Sequence, residues 1–140
     1  MIKDAFKIRI GYTKVADKGD IVAPWRGFPT SGFTRAMGQY NWNANTKSYM
    51  VQFDYAFESI PEFTLLSRYV KQDFDDKKIG VQSDSDVYTL NLVKVLANKK
   101  LYLKTRYAHV LGDNNTVASN GILKNNSSYD EMRFEINYLF

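Results

Sequence analysis

The stretch Tyr129-Asp-Glu-Met-Arg-Phe-Glu-Ile-Asn-Tyr-Leu-Phe140 decides the fold class. Met132, Phe134, Ile136, Tyr138 and Phe140 occupy even positions, and Glu131, Arg133, Glu135, Asn137 and Leu139 occupy odd ones. Successive side chains of a strand point to opposite faces, so this segment has one apolar, aromatic face and one charged face. The apolar face runs on to the terminal Phe140. Free termini tend to fray, so an oily aromatic end implies a strand that is anchored or read.

Working toward the N-terminus, the same period returns. Residues 101–110 set Leu101, Leu103 and Tyr107 against Tyr102, Lys104 and Arg106. Residues 86–96 set Tyr88, Leu90 and Leu92 against Thr89 and Asn91. In 62–72, Phe63, Leu65 and Tyr69 oppose Thr64, Arg68 and Gln72, while Leu66 and Val70 break the pattern. Residues 46–57 alternate most cleanly, with Tyr49, Val51, Phe53, Tyr55 and Phe57 on one side. Residues 5–13 place Phe6, Ile8, Ile10 and Tyr12 opposite Lys7, Arg9, Gly11 and Thr13. The pattern predicts an all-β unit over 1–140 with strands near 5–13, 46–57, 62–72, 86–96, 101–110 and 129–140. No helix-period segment or fixed-period repeat competes.

The connections sort by length. Residues 14–45, 73–85 and 111–128 are long, whereas the links around Pro61 and at 97–100 are short. Short turns at one end and long loops at the other are the asymmetry of outer-membrane barrels. The first loop far exceeds the usual ~4–6 residues, which points to a functional segment. Its Trp25, Phe28, Phe33, Tyr40 and Trp42 argue against disorder. Asn120-Gly121 is a type I′ hairpin signal, so the last two strands are expected to pair beyond the main sheet. Tyr12, Tyr49, Tyr69, Tyr88 and Tyr107 fall near the long-loop end, and Phe6, Phe57, Phe63, Tyr138 and Phe140 near the short-turn end. Two aromatic belts of this kind match interfacial girdles.

Composition agrees with a strand-built membrane protein. Aromatics reach 15% and the net charge is +4. Mean hydropathy is −0.40, and no apolar run approaches the ~18 residues of a membrane helix. There is no cysteine, hence no disulfide framework or thiol chemistry. Met1-Ile-Lys-Asp-Ala-Phe-Lys7 shows no charged-then-apolar leader.

Three segments carry a resemblance. Ala23-Pro-Trp-Arg-Gly-Phe-Pro-Thr, Thr34-Arg-Ala-Met-Gly-Gln-Tyr-Asn-Trp and Ala44-Asn-Thr-Lys-Ser-Tyr-Met-Val, with the ending Arg133-Phe-Glu-Ile-Asn-Tyr-Leu-Phe140, resemble the C-terminal part of OprD-like outer-membrane porins. The likeness is greatest to the major porins of epsilonproteobacteria. It implies an antiparallel up-and-down transmembrane β-barrel in the cell outer membrane, passing small polar solutes such as amino acids along a basic ladder. Six strands cannot close such a pore, which needs about 16–18, so the chain reads as the last third of a barrel. The implied partners are outer-membrane lipid and lipopolysaccharide, the barrel-assembly machinery, small polar solutes, and the remaining barrel strands or other copies of the chain.

The inward strand positions carry Lys7, Arg9, Arg68, Lys104, Arg106 and Arg133 against Asp54, Glu131 and Glu135. Basic side chains lining a pore favour anions and carboxylates, and an Arg fork can hold a carboxylate through two bonds. Arg106 and Arg133 are the expected pair, with the alternative that Glu131 and Glu135, flanking Arg133 on its own face, neutralise it instead. Arg26 and Arg35 are the expected tips of a constriction loop, the equal alternative being an outer lid with no selectivity role. The plainer reading is that these charges only keep a lumen wet. The rival class is a soluble β-barrel or sheet binding an apolar ligand, or a surface adhesin displayed on a barrel; a lipocalin-like fold would turn Phe53 and Ile136 inward and Arg9 and Arg106 to solvent. No catalytic group is expected: His109 is the only histidine and no serine sits two residues on. Asp73, Asp75 and Asp76 miss calcium-loop spacing, with Lys78 where glycine is needed, so neither metal nor cofactor is expected. Basic residues alternating with polar ones, without an exposed stripe, exclude nucleic acid.

Deletion of Phe140, or Phe140→Asp, is expected to block membrane insertion of the full-length porin far more than deletion of a loop residue. Surface levels of a Phe140-deleted porin equal to wild type would refute this.

Overall fold

The computed structural model describes residues 6–22, 34, 36, 37, 39–96, 99–113, 115–124 and 128–140. Six strands form: β1 (Phe6–Lys14), β2 (Lys47–Ala56), β3 (Phe63–Asp73), β4 (Ser85–Leu96), β5 (Leu101–Gly112) and β6 (Tyr129–Tyr138). They make one antiparallel sheet in sequence order, with β1 and β6 as its two edges. The sheet is not closed, so the chain is up-and-down all-β without being a barrel by itself.

The short turns are built by residues that accept special backbone angles. Ile60-Pro61-Glu62-Phe63 closes through Phe63 N–H to Ile60 O at 3.2 Å, with Pro61 second and Glu62 at φ 60°. Proline there followed by a positive φ is the type II pattern. At the other end, the segment after β5 departs from the sequence expectation. Only Gly121 is left-handed, at φ 79°, whereas a type I′ turn needs both central residues so. Gly121 N–H to Ala118 O and Ala118 N–H to Ile122 O, both 2.9 Å, close a small separate hairpin with Val117 opposite Leu123. β5 and β6 are therefore not extended by this turn.

Register fixes two faces. On the outer face lie Tyr12 opposite Tyr49, Tyr69 opposite Tyr88, and Tyr107 opposite Leu90 and Met132. Tyr49 itself faces Lys71, and Tyr88 faces His109. The tyrosines thus step down two residues between β2 and β3 and two more between β4 and β5. That is about one residue per strand. With ~3.3 Å rise and ~4.8 Å between strands, a level belt then requires strands tilted by about 35°. The aromatics at the short-turn end step the same way, from Phe6 on β1 through Phe57 and Phe63 to Tyr138 and Phe140.

The buried core lies on the inner face, at the long-loop end. Met50, Val70, Val87 and Val110 form one cross-strand row, and Ala36 and Met37 of the first loop pack over it with Ala108 and Tyr129. This explains Val70, which breaks the alternation of its strand: it is fully buried beneath the loop. Gly11 belongs to the same row, and a Cβ there would meet Met50 Cε at 3.2 Å. Deleting a buried Met side chain to Ala costs about 2–5 kcal/mol. Met50→Ala is therefore expected to release the 34–46 segment first, seen as faster amide exchange there than along β4 and β5. Equal acceleration throughout the sheet would contradict a core shared between loop and sheet.

Candidate functional site: the inner face of the sheet

Strand alternation and register bring the sequence-predicted polar residues onto one face. Lys7, Asp54, Leu66, Asn91, Arg106 and Arg133 occupy one cross-strand row. Arg9, Gln52, Arg68, Thr89, Ala108 and Glu131 occupy the next row toward the long loops. Lys104 and Glu135 lie opposite each other one row below.

These charges form two networks. On β1–β3, Arg9 Nη2 meets Asp54 Oδ2 at 3.1 Å, and Gln52 Nε2 donates to Asp54 Oδ1 at 2.7 Å. Arg68 Nε donates to Gln52 Oε1 at 2.8 Å. On β5–β6, Glu135 takes Arg106 closely and Lys104 at 4.0 Å, while Arg133 Nε donates to Glu131. Between them β4 presents Thr89 and Asn91, without charge. Arg106 and Arg133 stand directly opposite, as a shared carboxylate site would need. Each instead holds its own glutamate. Among the described residues Lys7 has no ion-pair partner. Six bases thus face three acids, and the surplus is positive.

A second feature marks this face. Thr46 Oγ1, Ser48 Oγ, Asp54 Oδ2, Gln72 Nε2, Thr89 Oγ1, Asn91 Oδ1 and Arg106 Nε are buried without a hydrogen-bond partner. Asp54 Oδ2 is close to Arg9 but misaligned for a hydrogen bond. By register and alternation all seven belong to the inner side. Buried polar groups are almost always satisfied, by protein or by water. A cluster confined to one face is the chemistry of a surface that works wet.

The first loop lies over the upper part of this face. Thr34 Oγ1 meets Thr13 Oγ1 at 2.5 Å and accepts from Asn41 Nδ2 at 3.0 Å. Gln39 Nε2 donates to the Tyr129 hydroxyl at 3.0 Å, and Gln82 Nε2 donates to Gln39 Oε1 at 2.8 Å. The loop so spans from β1 to β6 above the charged rows. Arg26 and Arg35, the expected constriction tips, lie outside the described residues, as do Trp25, Phe28 and Phe33. Sequence reasoning missed Gln52 as the bridge between Arg68 and Asp54, and Thr34, Gln39 and Asn41 as loop anchors. Gln52 was detectable as the polar neighbour of Asp54 on its face; the loop anchors had no periodic signal.

The outer face is the opposite in chemistry. Every large hydrophobic residue left exposed on the strands belongs to it, including Ile10 at 81%, Phe134 at 72% and Ile136 at 76%. Phe53 and Leu103 share this face, and the terminal Phe140 is fully exposed beside Tyr138, with ring centres 5.4 Å apart. His109 is also on this side, its Nδ1 2.8 Å from Asp130, which further accepts from the Tyr107 hydroxyl at 2.6 Å. No nucleophile completes a triad among those contacts. Among the described residues no group of three or more His, Cys, Asp or Glu could hold a metal, and no helix is long and apolar enough to cross a membrane.

Comparison with known proteins found no matching family model, no similar protein of curated function and no similar solved structure.

The long-loop end is clasped by charge. Asp75 accepts from Asn45 Nδ2 at 3.0 Å and from Lys77 N–H at 2.9 Å, and these bonds hold its carboxyl below the ordinary range. A carboxyl lowered in the folded state contributes stability above its ordinary pKa and loses it as pH falls through the lowered value. Asp84 is shifted the other way by burial, so its contribution grows as pH falls. Acidification is expected to weaken the Asp84 bond to Phe74 N–H first, because Asp84 protonates earlier, and to free Asn45 and Lys77 from Asp75 only below the usual carboxylate range. Amide exchange at these residues between neutral and acid pH reads the difference; unchanged exchange at Lys77 would contradict the clasp.

Proposed function

We propose that the chain is part of an outer-membrane β-barrel of OprD-like porin type, whose lumen passes small hydrophilic solutes by passive diffusion. The observation that carries the reading is the division of chemistry between two faces of one open sheet. Large exposed apolar side chains occupy one face, and ion pairs and unpartnered polar atoms occupy the other. The first face suits hydrocarbon and the second suits water. The slope of the belt supports it: the tyrosines would lie level at a strand tilt of about 35°, close to the ~35–45° of such barrels. So does span: from Tyr49 to Phe57 the strand rises ~26 Å, or roughly 20 Å along the membrane normal once tilted.

On this reading the free edges of β1 and β6 pair with further strands, since an exposed edge otherwise invites aggregation. The first loop narrows the lumen above the charged rows. Passage is then governed by the positive surplus, with the glutamates holding Arg106 and Arg133 in place. Such partly exposed pairs add little stability, so their role is positional. Carboxylate-bearing solutes are the favoured class, and amino acids fit it. The reading assigns no enzymatic activity.

Two measurements test it. Phe53→Arg is expected to cost about 2–4 kcal/mol of membrane-folded stability if the residue sits at the bilayer midplane. A cost near zero would remove Phe53 from hydrocarbon. In single-channel recordings of the reconstituted full-length barrel, Arg106→Ala and Arg133→Ala are each expected to lower passage of carboxylates more than of neutral sugars. Glu135→Gln is expected to do the reverse by unmasking Arg106 and Lys104. Equal changes for both solute classes would leave these residues only the task of keeping the lumen wet.

A further inference from the structure

On β5–β6 one carboxylate serves two bases. Glu135 stands directly opposite Lys104 and diagonally below Arg106, which itself stands opposite Arg133. The Glu135 carboxylate is close to Arg106 and 4.0 Å from Lys104 Nζ. Arg133 does not share it, because its Nε donates to Glu131. The side chains of Lys104, Arg106 and Glu135 are 29%, 29% and 30% exposed, so all three reach the surface of the inner face.

On the other flank of Arg106 a donor and an acceptor are left over. Asn91 stands directly opposite Arg106 on β4. Asn91 Oδ1 and Arg106 Nε are both buried, and neither has a hydrogen-bond partner. Directly opposed residues lie about 4.5–5.5 Å apart at Cα, so these two side chains are within reach of each other. A buried donor and a buried acceptor left unpaired cost at least as much as a part-exposed ion pair contributes. A second seat for Arg106, turned toward Asn91, is therefore close in free energy to the seat it holds on Glu135.

We propose that Glu135 is an exchangeable internal ligand of Arg106, and that Lys104 and Asn91 are the positioning residues that let a solute carboxylate replace it. The inference rests on the transport reading above and deepens it by naming how that site takes and releases its solute. At rest Glu135 occupies Arg106. When a carboxylate solute arrives, Glu135 moves to Lys104, Arg106 turns its Nε to Asn91 Oδ1, and the rest of the guanidinium takes the solute. The loaded site is then balanced, with Lys104 and Arg106 facing Glu135 and the solute. As the solute leaves, Glu135 returns. A channel site must bind well enough to admit its solute and weakly enough to let it go. A tethered carboxylate of the same chemistry as the solute does this by competing for one guanidinium.

The test is liposome uptake of propionate against arabinose through the reconstituted full-length barrel, read as a ratio. Wild type is expected to favour propionate. Lys104→Met should lower the ratio about threefold, and Lys104→Arg should restore it. Most of that loss should disappear when Lys104→Met is made together with Glu135→Gln, because no internal carboxylate then needs a second seat. Asn91→Leu should follow the same pattern. A lysine acting only through its charge would lose the same factor with or without Glu135, and that result would overturn the proposal. A structure of the wild-type barrel in propionate gives a second measurement that needs no variant. Propionate on Arg106 with Glu135 on Lys104 is expected; Glu135 still on Arg106 in the presence of bound propionate would overturn the exchange. The two readings fail separately. A propionate preference whose losses ignore Glu135 removes only the exchange, whereas a wild type that passes neither solute removes the transport reading and the exchange with it.

Discussion

One constraint governs the molecule: a strand can present two chemistries only by alternating them, and every strand must do so in phase with its neighbours. Antiparallel register aligns six separate alternations into two continuous surfaces. A slip of one residue in β5 would carry Arg106 to the apolar side and Tyr107 to the polar side. The cross-strand pairs Tyr12–Tyr49 and Tyr69–Tyr88, each with ring centres 5.0 Å apart, help fix that phase from one face. The ion pairs of Glu135 and Asp54 fix it from the other.

The strands were legible because alternation is a local signal. The expected strand near 86–96 is found at Ser85–Leu96 and that near 46–57 at Lys47–Ala56. The exceptions had non-local causes. Val70 violates its strand's pattern because a loop more than thirty positions earlier in the chain lies over it, and a window of one strand cannot contain that loop. Asn120-Gly121 misled in the opposite way: the dipeptide permits a type I′ turn, but only Gly121 takes the left-handed angle, and the hairpin closes within its own loop.

The candidate site was legible as a face but not as a set of bonds. That Arg106 and Arg133 share a side follows from position parity. That Glu131 and Glu135 could neutralise Arg133 follows from parity too; that the two arginines stand opposite each other, with Glu135 going to Arg106 and Glu131 to Arg133, follows only from register. Like charges so placed repel, and drawing each toward its own carboxylate relieves them. The amide of Gln52 was harder to see, since nothing in its strand shows that Arg68 arrives beside it.

The slope of the tyrosine belt has a consequence for how such a chain can vary over time. Each strand contributes its belt residue about one position further along than the strand before. An insertion of one residue inside a strand exchanges the two faces beyond it unless a β-bulge absorbs it. An insertion of two keeps the faces and merely lowers that strand's tyrosine by one row. A long loop such as 113–128 absorbs any number without touching parity. Lineages of this fold should therefore differ in length by even steps within strands and by arbitrary steps between them, so that drift concentrates at the long-loop end.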